Sequence, residues 1–205
     1  VSVGKIDKLN AGDLRAALGE ATIGREIIVL EETTSTNDAI WQRATPVTPE
    51  GLVIFAERQT AGRGQRGNHW ESIAGKGLWL SILLRPTIAP AQSARLTAWA
   101  AQSVAETISE EFSLCPTVKP PNDVHLDKKK LAGVLVEIRA QRNAPHLVIA
   151  GIGINVNHAP EDFSEELRQR AISLAQALDR HVDRSKFAIA LLCKLDSTYR
   201  DLRGL

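Results

Sequence analysis

The run Gln59–Trp70, QTAGRGQRGNHW, constrains the chain more than any other stretch. It follows the short apolar run Leu52-Val53-Ile54-Phe55 and precedes a longer one, Leu78 to Leu84, so it reads as a loop joining two strands. Gly62, Gly64 and Gly67 permit backbone conformations that a side chain forbids. They also let successive main-chain N–H groups turn inward around an anion. Arg63 and Arg66 add planar forks that match carboxylate or phosphate oxygens. Glycine alone implies only a hairpin loop. Glycine interleaved with arginine, flanked by Gln59 and Trp70, implies a loop that closes on an anionic ligand.

The charge supports a small ligand. Across 205 residues the formal net charge is +1, which gives no global attraction to nucleic acid or to a membrane surface. Positive charge is local instead: Arg58, Arg63, Arg66 and Lys76 lie in or beside the loop, and Lys128-Lys129-Lys130 form a second cluster. Clusters of this size suit a compact polyanion better than a duplex, so neither DNA nor membrane is expected as a partner. Cys115 and Cys193 have no CxxC or CxxH spacing, which argues against a disulfide framework or a zinc site. The first residues contain no apolar core of a secretory signal, and no apolar run reaches membrane-spanning length. The expected compartment is the cytoplasm.

The remaining pattern is one of mixed strands and helices. Residues 11–19 place Leu14, Ala17 and Leu18 on one helical face, and Ile27-Ile28-Val29-Leu30 reads as a strand. Ser35 and Asp38 have capping-box spacing, so a helix is predicted to start there. The apolar runs at Leu52–Phe55 and Leu78–Leu84 fit strands buried on both faces. Leu96, Ala100, Val104, Ile108 and Phe112 recur every fourth residue and mark an amphipathic helix. Pro120-Pro121 cannot occupy the middle of a ladder, and Asp127 to Lys130 reads as a charged turn. Leu131–Ile138 and His146–Ile154 read as a hairpin across Gln141-Arg142-Asn143. Leu167, Ala171, Leu174, Ala175 and Leu178 fall on one helical face, and Phe187, Leu191, Leu195 and Leu202 on a last one. Without strict βαβ alternation, the expected class is α/β or α+β, with a mixed sheet flanked by helices.

Three further blocks are ambiguous one at a time. Ser35-Thr36-Asn37 is a plain N-cap or a polar helix start facing a ligand. Asn122-Asp123 is an Asx-turn after proline. Gly151-Ile152-Gly153 is a strand with a glycine irregularity. Taken in order with Gly62-Arg63-Gly64, Arg66-Gly67, Trp70, Lys119, Lys130-Leu131-Ala132-Gly133, Glu137 and Asn155, they resemble the biotin protein ligase family, monofunctional type. The resemblance runs from about Glu31 to the last helix.

What the resemblance implies is a catalytic domain of the class II aminoacyl-tRNA-synthetase-like kind, spanning residues 1–205 as one domain. No helix-turn-helix is expected before it and no small β-barrel after it. The implied reaction joins biotin to ATP as biotinyl-5'-AMP, then passes biotin to a lysine of a biotin carboxyl carrier protein domain. Mg²⁺ is the implied metal, with no protein metal ligands assigned, and a homodimer is left open. A carboxylate must approach a polyphosphate, and two unit charges at ~4 Å repel by about 4 kcal/mol at an effective dielectric near 20. By the same match Arg63, Lys130 and Asp123 would be catalytic. Biotin would be held by Ser35, Thr36, Asn37, Gln59, Gly62, Arg63, Gly64, Trp70, Lys130 and Gly133. The nucleotide would meet Arg63, Arg66, Trp70, Asn122, Lys130 and Asn155. The chain departs from the family pattern where Gln65 replaces an arginine of the loop and Pro120 replaces a tryptophan. Two other functions stay open: a lipoate- or octanoate-type ligase on the same fold, and a non-catalytic biotin sensor.

Overall fold

The computed structural model describes residues 7–87, 90–139 and 146–203. Seven strands form one sheet: β1 (Glu26–Thr33), β2 (Leu52–Gln59), β3 (Gly77–Leu84), β4 (Thr117–Lys119), β5 (Asp123–Leu126), β6 (Lys129–Arg139) and β7 (Leu147–Asn155). Their order across the sheet is β1-β2-β3-β7-β6-β5-β4. Only β1 and β2 run parallel; every other neighbouring pair is antiparallel. The helices are α1 (Ala11–Ala17), α2 (Thr36–Arg43), α3 (Ser93–Phe112), α4 (Glu165–Arg168), α5 (Leu174–Leu178) and α6 (Arg184–Arg203). The mixed α+β architecture expected from the sequence is the one observed.

The two faces of the sheet differ because successive side chains point to opposite sides. Leu78, Leu80, Ile82 and Leu84 of β3 join Val148, Ala150, Ile152 and Ile154 of β7 in the large core. Leu96, Ala100, Val104 and Ile108 of α3 complete it with Leu191, Leu192 and Leu195 of α6. The intervening positions of the same strands build the other face. There α2 packs, with Ala39 and Ile40 over Leu52, Ile54, Leu83 and Ile149. Beyond α2 the face carries Ser81, Gly151, Gly153 and Gly133, which are cross-strand neighbours. Residues this small leave a trough at the middle of a sheet whose rim is apolar.

Four local expectations change. Helix α2 begins where predicted, but Ser35 makes no side-chain cap bond, and Asp38 turns to an arginine instead. The charged turn is shorter than expected: Lys129 and Lys130 already lie in β6, leaving Asp127 and Lys128 in the turn with φ of 50° and 66°. A strand the sequence reading lacked, β5, begins at Asp123, while Pro120-Pro121 lie in the turn before it and outside the ladder as expected. The helix predicted through Leu167 to Leu178 is broken into α4 and α5, because the segment between them lies alongside Lys130. The hairpin turn expected at 141–143 lies outside the described residues, while β6 and β7 pair antiparallel as expected.

Candidate functional site

The trough is floored by a hydrogen-bond network. Gln59 Oε1 at the end of β2 accepts from Thr36 N at 2.8 Å and from Thr36 Oγ1 at 3.2 Å. Gln59 Nε2 donates to Ser72 Oγ at 3.0 Å. Ser81 Oγ lies 2.7 Å from Thr36 Oγ1 and 2.5 Å from Asn37 Oδ1. Gly151 is required below Asn37, since a Cβ there would stand 2.3 Å from Asn37 Oδ1. Asn37 Nδ2 and Trp41 Nε1 both donate to Glu137 Oε2, each at 3.0 Å. These groups are buried or half-buried, so each fixes the orientation of the next.

Arg63 joins this network from the glycine-rich loop. Its two terminal nitrogens make a fork on Asp38 at 2.6 and 2.8 Å, and Nη2 also reaches Glu137 Oε1 at 3.2 Å. The hydrogen bond to Asp38, with the two carboxylates' charge, raises its pKa further above the already high arginine value. The side chain that the sequence offered for a phosphate is thus engaged by two carboxylates. The loop is further shaped by Gly64 N donating to Asn68 O at 2.7 Å and Trp70 N to Gly62 O at 2.9 Å. Arg66 has φ 59° and is exposed.

Trp70 fills much of the trough. A Cβ at Gly153 would meet its ring at 2.7 Å, and one at Gly133 would meet it at 2.9 Å. Trp79 packs edge-on with ring centres 6.1 Å apart. The Trp70 Nε1 is buried with no hydrogen-bond partner among the described residues. What remains beside the ring is a cavity of about 40 Å³ with a mixed polar and apolar lining: Val134, Leu135, Gly151, Ile152 and Gly153, and also Ser35, Thr36, Asn37, Gln59, Arg63, Gly64, Trp70, Asn122, Lys130 and Gly133. The last ten were expected to contact biotin or nucleotide. Gly62 is instead buried under the Trp70 carbonyl, and Arg66 lines neither this cavity nor the next.

A second cavity of about 540 Å³ adjoins the first, and Trp70 and Lys130 line both. Its walls bear Lys119, Asp123, His125, Asn155, His158 and Arg170, with Phe163 and Leu167 as apolar cover. Lys130 Nζ is 2.8 Å from Asp123 Oδ1 and 5.2 Å from the Trp70 ring centre. Its backbone is clamped as well: Lys130 N donates to Arg170 O at 2.7 Å, and Ile172 N to Lys130 O at 3.0 Å. Asn122 is tied by both backbone and side chain to Val134, and Asn155 Nδ2 donates to Ile172 O at 3.2 Å. His158 stacks on Phe163 with ring centres 4.9 Å apart. Burial lowers its pKa to about 4, with Lys76 adding to the effect and Asp162 opposing it.

Several partners escaped the sequence reading. Ser72 and Ser81 carry no pattern, and His125 and His158 look like isolated surface histidines. Asp38 looked like a cap residue, and Glu137, though part of the family pattern, had no role assigned because its partners Asn37, Trp41 and Arg63 lie far away in the chain. Among the described residues no three His, Cys, Asp or Glu side chains converge into a metal site, so the expected Mg²⁺ has no protein cage among them. No helix among those residues is long and apolar enough to cross a membrane.

The sequence profile of the biotin/lipoate A/B protein ligase family matches residues 29–155. The bifunctional ligase/repressor BirA of Bacillus subtilis is 36% identical over 197 residues, covering 96% of this chain and 61% of that protein. The biotin–[acetyl-CoA-carboxylase] ligase of Mycobacterium tuberculosis is 33% identical over 190 residues, covering 88% and 66%. Among solved structures, the biotin protein ligase from Aquifex aeolicus in complex with biotin and ATP aligns with a TM-score of 0.76 at 30% identity. That alignment covers 87% of this chain and 72% of that one. The chain therefore spans about 61% of the length of its Bacillus relative. By its profile, its relatives and its fold, the chain belongs to the biotin/lipoate A/B protein ligase family.

Proposed function

We propose that this chain is the single catalytic domain of an ATP-dependent biotin–protein ligase. In this reading it forms biotinyl-5'-AMP and passes biotin to a lysine of a biotin carboxyl carrier protein domain. The observation that carries the reading is the junction of the two cavities at Trp70 and Lys130. The smaller one suits the ureido ring, whose carbonyl and two N–H groups match its Ser35, Thr36, Asn37 and Gln59 set. The larger one suits a nucleotide. A carboxylate reaching out of the first cavity meets an α-phosphate in the second beside the Lys130 ammonium. A positioned cation there offsets charge where the two anions must approach, which is the main contribution a protein makes to this kind of step. Trp70 would shift to cover the valeryl chain, since a 40 Å³ cavity is well below the ~300 Å³ at which small-molecule sites begin.

Arg63 has a different part in this reading from the one first assigned. It anchors the loop to Asp38 and Glu137 and so holds Gly62 to Gly64 over the trough, leaving Lys130 as the charge nearest the reacting atoms. Arg66 would meet the nucleotide only after the loop moves. The expectation that the whole protein leaves DNA alone gains no support from a relative named a ligase/repressor.

Pyrophosphate release on adding biotin and ATP tests the proposal, followed by label transfer to a carrier domain. Release with lipoate in place of biotin would reassign the substrate. Biotin binding without any release would make the chain a sensor.

A further inference from the structure

Asp123 and His125 are two residues apart on β5, so their side chains share one face of the strand. That face opens into the larger cavity, which both residues line. A register shift between Val124 and His125 sets what lies opposite. Asp123 pairs with Gly133 and Val124 with Ala132, but His125 pairs with Lys130, skipping Leu131. In an unshifted ladder Leu131 would oppose His125 and Lys130 would turn to the other face. The bulge sends Leu131 into the core and brings Lys130 to the cavity. Asp123, His125 and Lys130 are thereby gathered at one point.

The imidazole's proton position follows from its neighbour. His125 Nδ1 is 3.2 Å from the Lys128 carbonyl oxygen, which can only accept, so Nδ1 carries the hydrogen. In the neutral ring Nε2 is then the bare acceptor, and it faces Asp123 Oδ2 at 4.0 Å. Two acceptors held this far apart fit a donor between them. The ring is mostly enclosed, its side chain 15% exposed, yet it borders a cavity wide enough for a lysine side chain.

We propose that His125 is the proton acceptor for the incoming carrier lysine, with Asp123 holding the ammonium in place beforehand. The proposal rests on the ligase reading above and deepens its second step. The ammonium gives one proton to His125 Nε2, and the freed lone pair attacks the acyl carbon of biotinyl-adenylate. A C–N bond forms, the C–O bond to the phosphate breaks, and its electron pair leaves on AMP. The second amine proton passes to solvent, and the imidazolium left behind is stabilised by the Asp123 carboxylate. A lysine amine has a reference pKa near 10.4, so without an acceptor it stays charged at neutral pH. Other charged groups around His125 are Lys128 of the turn, Lys119 of β4, Lys130 of β6, and Glu166 and Arg170 across the cavity.

The test separates the two half-reactions. Transfer is measured from preformed biotinyl-adenylate to a carrier domain, and adenylate formation by pyrophosphate release from biotin and ATP. His125→Asn keeps a donor toward the Lys128 carbonyl and removes Nε2. Positioned acids and bases contribute about 10²–10⁴-fold. With Asp123 still present, transfer by the variant is expected to fall on the order of 10²-fold. The pH–rate profile of transfer by the variant is expected to differ in shape from that of the parent. Added imidazole restores part of the transfer rate, an effect that a merely structural role would not give. An unchanged transfer rate and profile overturns the proposal. So does an equal loss in both half-reactions without imidazole rescue, which marks the ring as scaffold. Failure of the unaltered protein to release pyrophosphate from biotin and ATP overturns the ligase reading itself, a result distinct from either.

Discussion

Lys130 shows how much of a site rests on one residue's register. Three lysines follow one another, and only the bulge opposite His125 decides which of them faces the cavity. Lys128 stands in the turn with positive φ and points into solvent, whereas Lys130 is half-buried beside Asp123 and the Trp70 ring. Removing a charge contact aimed at developing charge costs on the order of 10²–10³ in rate. Lys130→Ala is therefore expected to reduce pyrophosphate release by about that factor, and Lys128→Ala to leave it nearly intact. Equal losses in the two variants would mean that the cluster acts as a diffuse positive patch. The clamp from Arg170 and Ile172 on the Lys130 backbone does not depend on the side chain, so the alanine variant should keep its strand geometry.

At the scale of the element, the glycine-rich loop is a cover fastened at one point. The Arg63 fork on Asp38, with its reach to Glu137, ties the loop to α2 and β6. Partly exposed ion pairs contribute about 1 kcal/mol or less, so this fastening is strong enough to bias the loop and weak enough to release it. Trypsin cleavage after the exposed Arg66 should slow when biotin is added and should quicken in Asp38→Asn. Cleavage that ignores both changes would show that the loop is held by its backbone bonds alone. The loop's existence was legible because Gly62, Gly64 and Gly67 interrupt two apolar runs, and those runs were legible because their strands are buried on both faces. Its fastening was not. Asp38 has the spacing of a cap residue, and nothing local tells a cap from a distant arginine's partner. The break between α4 and α5 was hidden for a similar reason. Helical periodicity continues through Ala171, and only the Lys130 backbone, far off in sequence, makes the extended form better. β5 was hidden because Asp123 and His125 give it a polar cavity face in place of an apolar one.

For the molecule as a whole, His158 links the chemistry of the cavity to stability. It follows β7, stacks on Phe163, meets Trp79 edge-on at 5.7 Å, and its carbonyl accepts from Ser173 Oγ at 2.6 Å and Gln176 Nε2 at 2.9 Å. It thus fastens the end of the sheet to the start of α5. Only 3% exposed, with Nδ1 unpartnered among the described residues, the ring is held neutral, its pKa lowered from 6.5 to about 4 chiefly by burial. The unfolded chain then binds the proton more readily than the folded one. Stability from this group is fully present above pH 6.5 and is lost as pH falls through 6.5 toward 4. The gap corresponds to roughly 3 kcal/mol in all, at about 1.4 kcal/mol per pH unit inside the window. Asp162 works in the same direction at lower pH: burial opposes its ionisation, but hydrogen bonds from Lys76 and the Ala159 N–H outweigh that and keep its pKa below the usual carboxylate value. His158→Phe keeps the stack and removes the titration. Urea unfolding across this pH range should show the parent losing stability on acidification while the variant's curve is flatter by about the amount above. Parallel curves would mean that the folded protein admits the proton without cost, and that the ring is reached by water in a way its enclosure between Trp79 and Phe163 does not allow.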